Sequence, residues 1–250
     1  MSLRRPLRLV RLLGAVASIA AASSFARPAA AIRPFLTDDA RVVGGKLVQL
    51  ETWFYVDRDG FAHNALAAFG PTKWLELTTG VVHGNRHRDG YGLSGPILQA
   101  KGLLLAAKEN DHPGFAVAGG VLPAVGFGSF RPSAATGFAY LAATENLWKE
   151  AMLIHANVGF VASHHRGITL GIGTQVKVYE GLHAVGEFVF GDPYNAEARS
   201  PAIQLGGRYL FSDHVQMDAT FGTTLTAPAG VAGVAPWGTL GLRLVSGELW

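Results

Sequence analysis

The nine histidines of this 250-residue sequence are its best candidates for metal binding or acid–base chemistry. Four of them fall in two short polar stretches, His83 and His87 in one, His164 and His165 in the other. A zinc site would show cysteine ligands or a pattern such as HExxH, and the sequence, which has no cysteine, shows neither. We therefore interpret these four residues as solvated loop side chains and predict neither a metal nor another cofactor.

Nucleophilic catalysis would need a serine and a histidine in contact, oriented by a third polar group. Ser163 and His164 are adjacent in the sequence, but neighbouring residues of a strand point to opposite faces. Neither a GxSxG nucleophile turn nor a phosphate-binding glycine loop occurs. The residue pattern does not indicate catalytic chemistry, and we predict that the protein is not an enzyme.

The stretch from Ile168 to Tyr179 shows most clearly which elements must position the polar side chains. Every second residue from Ile168 onwards is aliphatic or threonine, whereas those between are glycine, threonine, glutamine, lysine or tyrosine. This period of two is typical of a β-strand with one apolar and one polar face. The stretch also has the length of a tilted strand that crosses a bilayer, about 9–11 residues.

Similar alternation recurs along most of the chain after residue 45 and predicts about twelve strands, within a range of roughly 10–14. Some predicted connections are short, such as residues 179–181, and others are long, such as residues 83–95 and 191–201. Outer-membrane barrels show this asymmetry, with short periplasmic turns. A soluble barrel would carry more charge on its polar faces than these faces rich in glycine, threonine and glutamine. The sequence therefore predicts an all-β fold, an antiparallel up-and-down transmembrane β-barrel over residues 46–250.

Residues 1–31 have the organisation of a cleaved signal peptide. Four arginines precede an apolar core at residues 12–22, and small residues allow cleavage after Ala31. The whole chain has a formal charge of +3, but without the five arginines of this segment it has 16 basic and 18 acidic residues, a charge of −2. We therefore predict no nucleic-acid partner. We expect the protein in the outer membrane of a Gram-negative bacterium, with lipid, lipopolysaccharide and the barrel assembly machinery as partners.

The polar faces of the predicted strands identify the side chains expected to line the lumen. Eight of these side chains are charged, four of each sign, and this balance favours ion pairs over a charged constriction that selects a permeant. We predict no catalytic residues among them. The lumen-lining candidates are Glu51, Glu76, Gln99, Lys101, His155, Lys177, His183, Glu187, Arg208, Asp218 and Arg243.

Three stretches of the sequence resemble a known family: RPFLTDDARVV (33–43), LVQLETW (47–53) and PILQAKGLLL (96–105). They are similar to segments of bacterial outer-membrane proteins described as transporters or as proteins of the meta-pathway of phenol degradation. The resemblance implies an outer-membrane barrel and a passive route for small aromatic or other apolar compounds. The C-terminus departs from the pattern of such barrels, because residues 246–248 interrupt the alternation just before the terminal aromatic Trp250.

The sequence leaves three functions open. We predict a passive channel or a binding site for a small solute, apolar or aromatic in character. One alternative is an outer-membrane enzyme that acts on lipid or lipopolysaccharide through His155 or His183. The other is a structural or surface-interaction barrel with a closed lumen. Residues 32–45, between the signal peptide and the barrel, would either stay in the periplasm or fold into the lumen as a plug.

Overall fold

A computed structural model describes residues 35–227 and 233–249 of the chain. The expected signal peptide at residues 1–31 and the terminal Trp250 lie outside the described residues. Within these two ranges every regular element is a β-strand. A search of the same residues finds no helix long and apolar enough to cross a membrane.

Thirteen β-strands make up the described fold. Twelve of them have nine to sixteen residues, enough for a tilted strand to cross a bilayer, and β6 has three. Their bounds are β1 Val48–Asp57, β2 Gly60–Thr72, β3 Leu75–Arg86, β4 Gly90–Leu105, β5 Gly114–Leu122, β6 Gly126–Gly128, β7 Thr136–Leu147, β8 Met152–Ala162, β9 Arg166–Tyr179, β10 Leu182–Phe190, β11 Pro201–Ser212, β12 Val215–Thr224 and β13 Pro236–Val245.

Twelve of the strands close into a ring in which all neighbours are antiparallel. The ring closes where β1 pairs with β13, from Gln49 opposite Val245 to Asp57 opposite Trp237. The short β6 pairs only with the outer part of β4, so β5 pairs directly with β7. The fold is a closed up-and-down barrel of twelve strands, which confirms the predicted fold class and strand number.

The connections differ in length between the two ends of the barrel. At the end that holds Val48 and Val245, two residues join β2 to β3, β9 to β10 and β11 to β12. At the opposite end, residues 123–135 and 191–200 form long connections, the first of which contains β6, whereas two or three residues join β1 to β2, β3 to β4 and β8 to β9. Since outer-membrane barrels have short periplasmic turns, we call the end that holds Val48 and Val245 the periplasmic end and the opposite end the outer end.

The long loop expected at residues 83–95 is instead the outer part of a β-hairpin, and that prediction was wrong. The strand β3 continues to Arg86, and β4 begins at Gly90. The glycines that suggested a loop lie close to neighbouring backbone, since a Cβ on Gly84 would come within 2.1 Å of the Phe61 carbonyl oxygen. At this position glycine permits close packing of two strands rather than loop flexibility.

The two faces of the barrel differ in polarity in the way that a bilayer requires. In β9, Ile168 and Leu170 are 63% and 47% exposed, whereas Thr169 and Gln175 are each 5% exposed. The other strands likewise leave leucine, phenylalanine and tyrosine side chains on the outside. The outer surface is therefore apolar and the interior polar, the reverse of a water-soluble barrel.

Candidate functional site

Residues 35–43, which we call the inner segment, run through the lumen. Phe35, Asp39 and Val43 are 2%, 0% and 1% exposed. The inner segment belongs to no strand, yet it contacts side chains of β3, β4, β7, β8 and β10. These contacts place residues 35–43 inside the barrel, at the position that a plug would take.

Polar side chains of the barrel wall accept hydrogen bonds from the backbone amides of the inner segment. Because this segment is in no strand, its buried N–H groups need acceptors other than a neighbouring backbone. The pairs are Leu36 and Thr37 to Glu187 in β10, Asp38 to Asn157 in β8, Ala40 to Thr144 in β7, and Val43 to Glu76 in β3. Side chains of four strands therefore hold one extended piece of chain across the lumen.

Lys101 in β4 binds both aspartates of the inner segment. Its Nζ lies 2.8 Å from Oδ2 of Asp38 and 3.3 Å from Oδ1 of Asp39. The hydroxyl of Tyr140 in β7 donates to the same Oδ2 of Asp38 at 2.6 Å. The side chains of Lys101 and Asp39 are 3% and 0% exposed, so water screens their interaction only weakly.

Asp39 remains ionised although it is fully buried. Burial alone would raise its pKa, but the positive charges of Arg41 and Lys101 lower the pKa by more than burial raises it. The pKa therefore falls from 3.8 to about 2. Nε of Arg41 lies 2.8 Å from Oδ2 of Asp39, and the Arg41 backbone amide donates to Oδ1 at 3.0 Å. Two cations thus stabilise one negative charge inside the lumen.

Phe35, at the other end of the inner segment, packs on an apolar and aromatic surface. It contacts the buried side chain of Val185 in β10. Its ring centroid lies 6.4 Å from that of the His155 ring and 6.0 Å from the guanidinium carbon of Arg208. A cation over an aromatic face is attracted by the ring quadrupole, which adds to the hydrophobic burial of Phe35.

Six of the predicted lumen charges face each other in oppositely charged pairs on adjacent strands. Residues directly opposite in a sheet have Cβ atoms about 4.5–5.5 Å apart, within reach of an electrostatic interaction. The strand registers give the pairs Glu51–Arg243, Glu76–Lys101 and Arg208–Asp218. Because these charges are paired along the wall, they do not need partners on the far side of the lumen. The space between can hold a segment of chain or a solute.

The structure brings most of the lumen-lining candidates together inside the barrel. Gln99 is half-buried, and Lys177 is exposed because it lies near the periplasmic end of β9. A role for any of them in contacting a solute stays a prediction. The buried candidates are Glu51, Glu76, Lys101, His155, His183, Glu187, Arg208, Asp218 and Arg243.

A cavity of about 650 Å³ lies between the inner segment and the outer end of the barrel. Asp38, Glu76 and Lys101 form its floor on the inner segment and the adjoining strands. Its volume is within the range of known small-molecule sites, about 300–1,000 Å³. Aromatic side chains from the wall and the outer connections line it, namely Trp53, Tyr55, Phe130, Tyr194 and Trp237.

The outer connection formed by residues 191–200 folds into the lumen and narrows it. Ala196 is 3% exposed and packs in a cluster with Phe138 of β7. The hydroxyl of Tyr194 donates to the side-chain oxygen of Gln99 in β4 at 3.1 Å. This connection fills the part of the lumen beside β5, β7 and β8, so the cavity lies mainly along β1 to β4.

Sequence reasoning missed the residues that position the inner segment. It did not select Asp38, Asp39 or Arg41, nor their partners Thr144 and Tyr140. The available signal was the run DDAR, which lies together with Thr37 between the apolar pairs FL and VV. Charged residues enclosed by apolar ones indicate a segment that is buried with its charges paired, rather than a solvated tail.

Two histidines contact each other on the outer face of the barrel. His83, expected in a solvated loop, lies in β3, and its Nε2 is 2.9 Å from Nδ1 of His63 in β2. Nε2 of His63 in turn contacts the hydroxyl of Thr52. The interpretation of His83 is corrected because β3 is longer than predicted. Within residues 35–227 and 233–249, no three His, Cys, Asp or Glu side chains could hold a metal ion together.

Comparison of the sequence with protein families gives a match over most of its length. The model of a family described as "Uncharacterised conserved protein UCP029691" matches residues 17–244. A search of curated proteins finds no match. The resemblance to outer-membrane transporters seen at residues 33–53 is supported as far as a porin-like barrel, and the narrower phenol-degradation label receives no support.

Solved outer-membrane barrels resemble the fold at low sequence identity. The "COG4313 outer membrane channel from Pseudomonas putida F1" gives a TM-score of 0.61 at 10% identity, over 81% of this chain and 96% of that one. The "KdgM porin in complex with disordered oligogalacturonate" gives 0.58 at 11% identity, over 78% and 98%. The NanC porin gives 0.56 at 5% identity, over 79% and 98%. These likenesses show the fold, that of a β-barrel of the bacterial outer membrane.

Proposed function

Because this chain belongs to the family of uncharacterised conserved proteins UCP029691, whose description names no activity, we propose its function from its own geometry. It is a passive outer-membrane channel for a small solute, and its inner segment closes the lumen. The observation that carries this proposal is the cavity of about 650 Å³ above the inner segment. A barrel built only as a scaffold would not need a space of that size toward the outer end.

Closure by the inner segment is proposed from the kind of contacts that hold it. The inner segment is held by hydrogen bonds and ion pairs to side chains of separate strands, such as Glu187, Thr144 and Lys101. It does not pair with the sheet as a strand. Each such contact contributes only about 0.5–3 kcal/mol, and none of them is part of the hydrogen bonding of the sheet. The inner segment can therefore leave the lumen without unfolding the barrel.

The character of the solute is proposed from the lining of the cavity. The rings of Tyr55 and Trp237 are stacked with centroids 6.2 Å apart, and Trp53 lies on the same inner face of β1 as Tyr55. Aromatic surfaces of this kind favour flat, apolar parts of a ligand. We therefore favour a small solute with an apolar or aromatic part, as the sequence resemblance also implies.

The alternative of an outer-membrane enzyme that acts on lipid or lipopolysaccharide is disfavoured by the position of His155, one of its two candidate residues. His155 is 0% exposed, packs beside Phe35 and shares a hydrogen bond of 3.0 Å with the Thr144 hydroxyl. A catalytic histidine must come within hydrogen-bond reach of its substrate. While the inner segment is in place, it separates His155 from the cavity.

Single-channel recording in planar bilayers tests the proposed function. The refolded mature chain should show a small conductance with brief openings, and a variant that lacks residues 35–43 should show long, larger openings. Heat-modifiable migration in gels confirms that both barrels are folded. A folded deletion variant that conducts no ions and admits no small solutes into liposomes would refute the channel. Equal conductance of the two barrels would refute closure by the inner segment.

A further inference from the structure

We propose that Lys101 and Tyr140 form a binding site for a solute carboxylate, which the side chain of Asp38 fills while the channel is closed. A small carboxylic acid that enters the cavity competes with Asp38 for these two donors and releases the inner segment. The inference rests on the proposed function and adds to it the chemical class of the solute and the event that opens the channel.

The geometry of the site is that of a bound carboxylate. One oxygen, Oδ2 of Asp38, lies 2.8 Å from the ammonium group of Lys101 and accepts a hydrogen bond of 2.6 Å from the Tyr140 hydroxyl. Both donors belong to the barrel wall and are nearly buried, with Lys101 2% and Tyr140 5% exposed. Charge-assisted hydrogen bonds of this kind are about twice as strong as neutral ones. The donors stay in the wall when the inner segment leaves.

The site can be reached from the outer end of the barrel. The Asp38 side chain is 22% exposed, and both Asp38 and Lys101 line the floor of the cavity. Asp39, which also binds Lys101, is 0% exposed and is not part of the cavity lining. A solute in the cavity would therefore meet Asp38 first and could displace it stepwise.

Charge balance selects a single carboxylate. The inner segment carries Asp38, Asp39 and Arg41, a net charge of −1, which the lumen loses when the segment leaves. Glu76, which faces Lys101 from β3, stays as a negative neighbour, and one carboxylate restores the charge that the segment supplied, whereas a cation would add positive charge there. An uncharged solute would leave the ammonium group with less compensation in a site of low dielectric constant.

The rest of the solute is defined by the cavity wall. Trp53, Tyr55 and Trp237, from β1 and β13, line the same cavity as Lys101. A planar ring can stack on these side chains while its carboxylate reaches the floor. The structure thus assigns the channel to aromatic or similarly flat carboxylic acids, of which benzoate is the simplest probe.

Cysteine labelling of the full-length mature chain tests the carboxylate site. The chain has no cysteine, and Val42, in the inner segment, is 6% exposed. A thiol introduced by Val42→Cys should therefore react slowly with a maleimide until the segment leaves. Millimolar benzoate should raise the labelling rate by about tenfold, as expected for loss of one charged contact. Benzamide, which has the same shape without the charge, should not.

Three further variants, one of them a control, distinguish a specific carboxylate site from a general loosening of the barrel. In the Val42→Cys background, Lys101→Met should label quickly and without response to benzoate. Tyr140→Phe keeps the charge of the site and should weaken the benzoate response severalfold, and Thr169→Ala, at an equally buried wall position, should not.

Equal effects of benzoate and benzamide, or a Tyr140→Phe variant that responds like the parent, would overturn the carboxylate site. The proposed channel function would still stand after that result if the variant that lacks residues 35–43 conducts ions. A non-conducting deletion variant would refute the proposed function by a separate measurement.

Discussion

The carboxylate of Glu187 accepts a hydrogen bond of 3.1 Å from the backbone amide of Leu36, although the two residues are 151 positions apart in the chain. It also accepts from the Thr37 amide and from the side-chain amide of Gln204. Glu187 is 6% exposed, so these donors replace the water that an ionised carboxylate would otherwise bind. The first residues of the inner segment therefore depend on one side chain of β10.

Replacing Glu187 by alanine should open the channel. The substitution removes the acceptor that the buried amides of Leu36 and Thr37 share, which costs about 2 kcal/mol and corresponds to a roughly 30-fold shift toward the open state. Single-channel recording would show this as a higher open probability. Thr169→Ala is the matched control, because Thr169 is also buried in the lumen wall, and it should behave as the wild type.

The ionised Asp39 predicts that acid releases the inner segment. Its pKa of about 2 lies below the ordinary value of 3.8 because of Arg41 and Lys101. A group whose pKa is lowered on folding contributes stability above its ordinary pKa, and the contribution is lost as the pH falls through the lowered value. About 2 kcal/mol of segment binding should therefore disappear between about pH 4 and pH 2.

Open probability recorded over this pH window measures the effect. It should rise in the wild type as the pH falls, with Lys101 and Arg41 left facing a neutral side chain. The variant Asp39→Asn should start with a higher open probability at neutral pH and show a smaller rise as the pH falls. Identical pH curves for the two proteins would show that Asp39 does not hold the segment.

The facing pair Arg208–Asp218 should matter for folding of the barrel. The two side chains, in β11 and β12, are 1% and 3% exposed. Arg208→Met alone leaves a buried carboxylate without its facing cation and should lower the free energy of unfolding by about 3–5 kcal/mol. Adding Asp218→Leu removes the second charge and should restore most of the loss. Urea unfolding in lipid vesicles, followed by tryptophan fluorescence, would check both variants.

Comparing Arg208→Met with the double variant shows which contact causes the loss of stability. Recovery in the double variant would show that the cost comes from an uncompensated charge. A double variant as unstable as Arg208→Met would instead assign the cost to other contacts of Arg208, such as its hydrogen bond to Gln175 and its position near the Phe35 ring.

Strand alternation was sufficient to predict the barrel and most of its inner face. In β9 the period of two alone places Ile168 outside and Gln175 inside, wherever the strand lies in the sheet. The same local rule selected Glu187 and Lys101. It failed at the β3–β4 hairpin, where glycines that pack closely against a neighbouring strand resemble glycines of a loop.

Contacts distant in sequence could not be predicted in the same way. The inner segment has no period of its own, and Asp38 binds Asn157 across 119 positions of the chain. The return of residues 191–200 into the lumen likewise depends on how Ala196 packs near Phe138. Both features require the barrel to exist first, and the enclosed charges of DDAR gave a sign of the inner segment only.

Two glycines of β9 that face the inner segment provide the most controlled test of its fit. A Cβ at Gly171 would lie 2.3 Å from Oγ1 and 3.2 Å from Cβ of Thr37, whereas at Gly173 it would meet the Phe35 ring at an ordinary 3.5 Å. Gly171→Ala should therefore displace the segment and raise the labelling rate of Val42→Cys about tenfold, a cost of about 1.4 kcal/mol. Gly173→Ala, the same change two residues away, should label at the parent rate. Equal rates would show that Thr37 yields to the added methyl group and that β9 does not fix the segment.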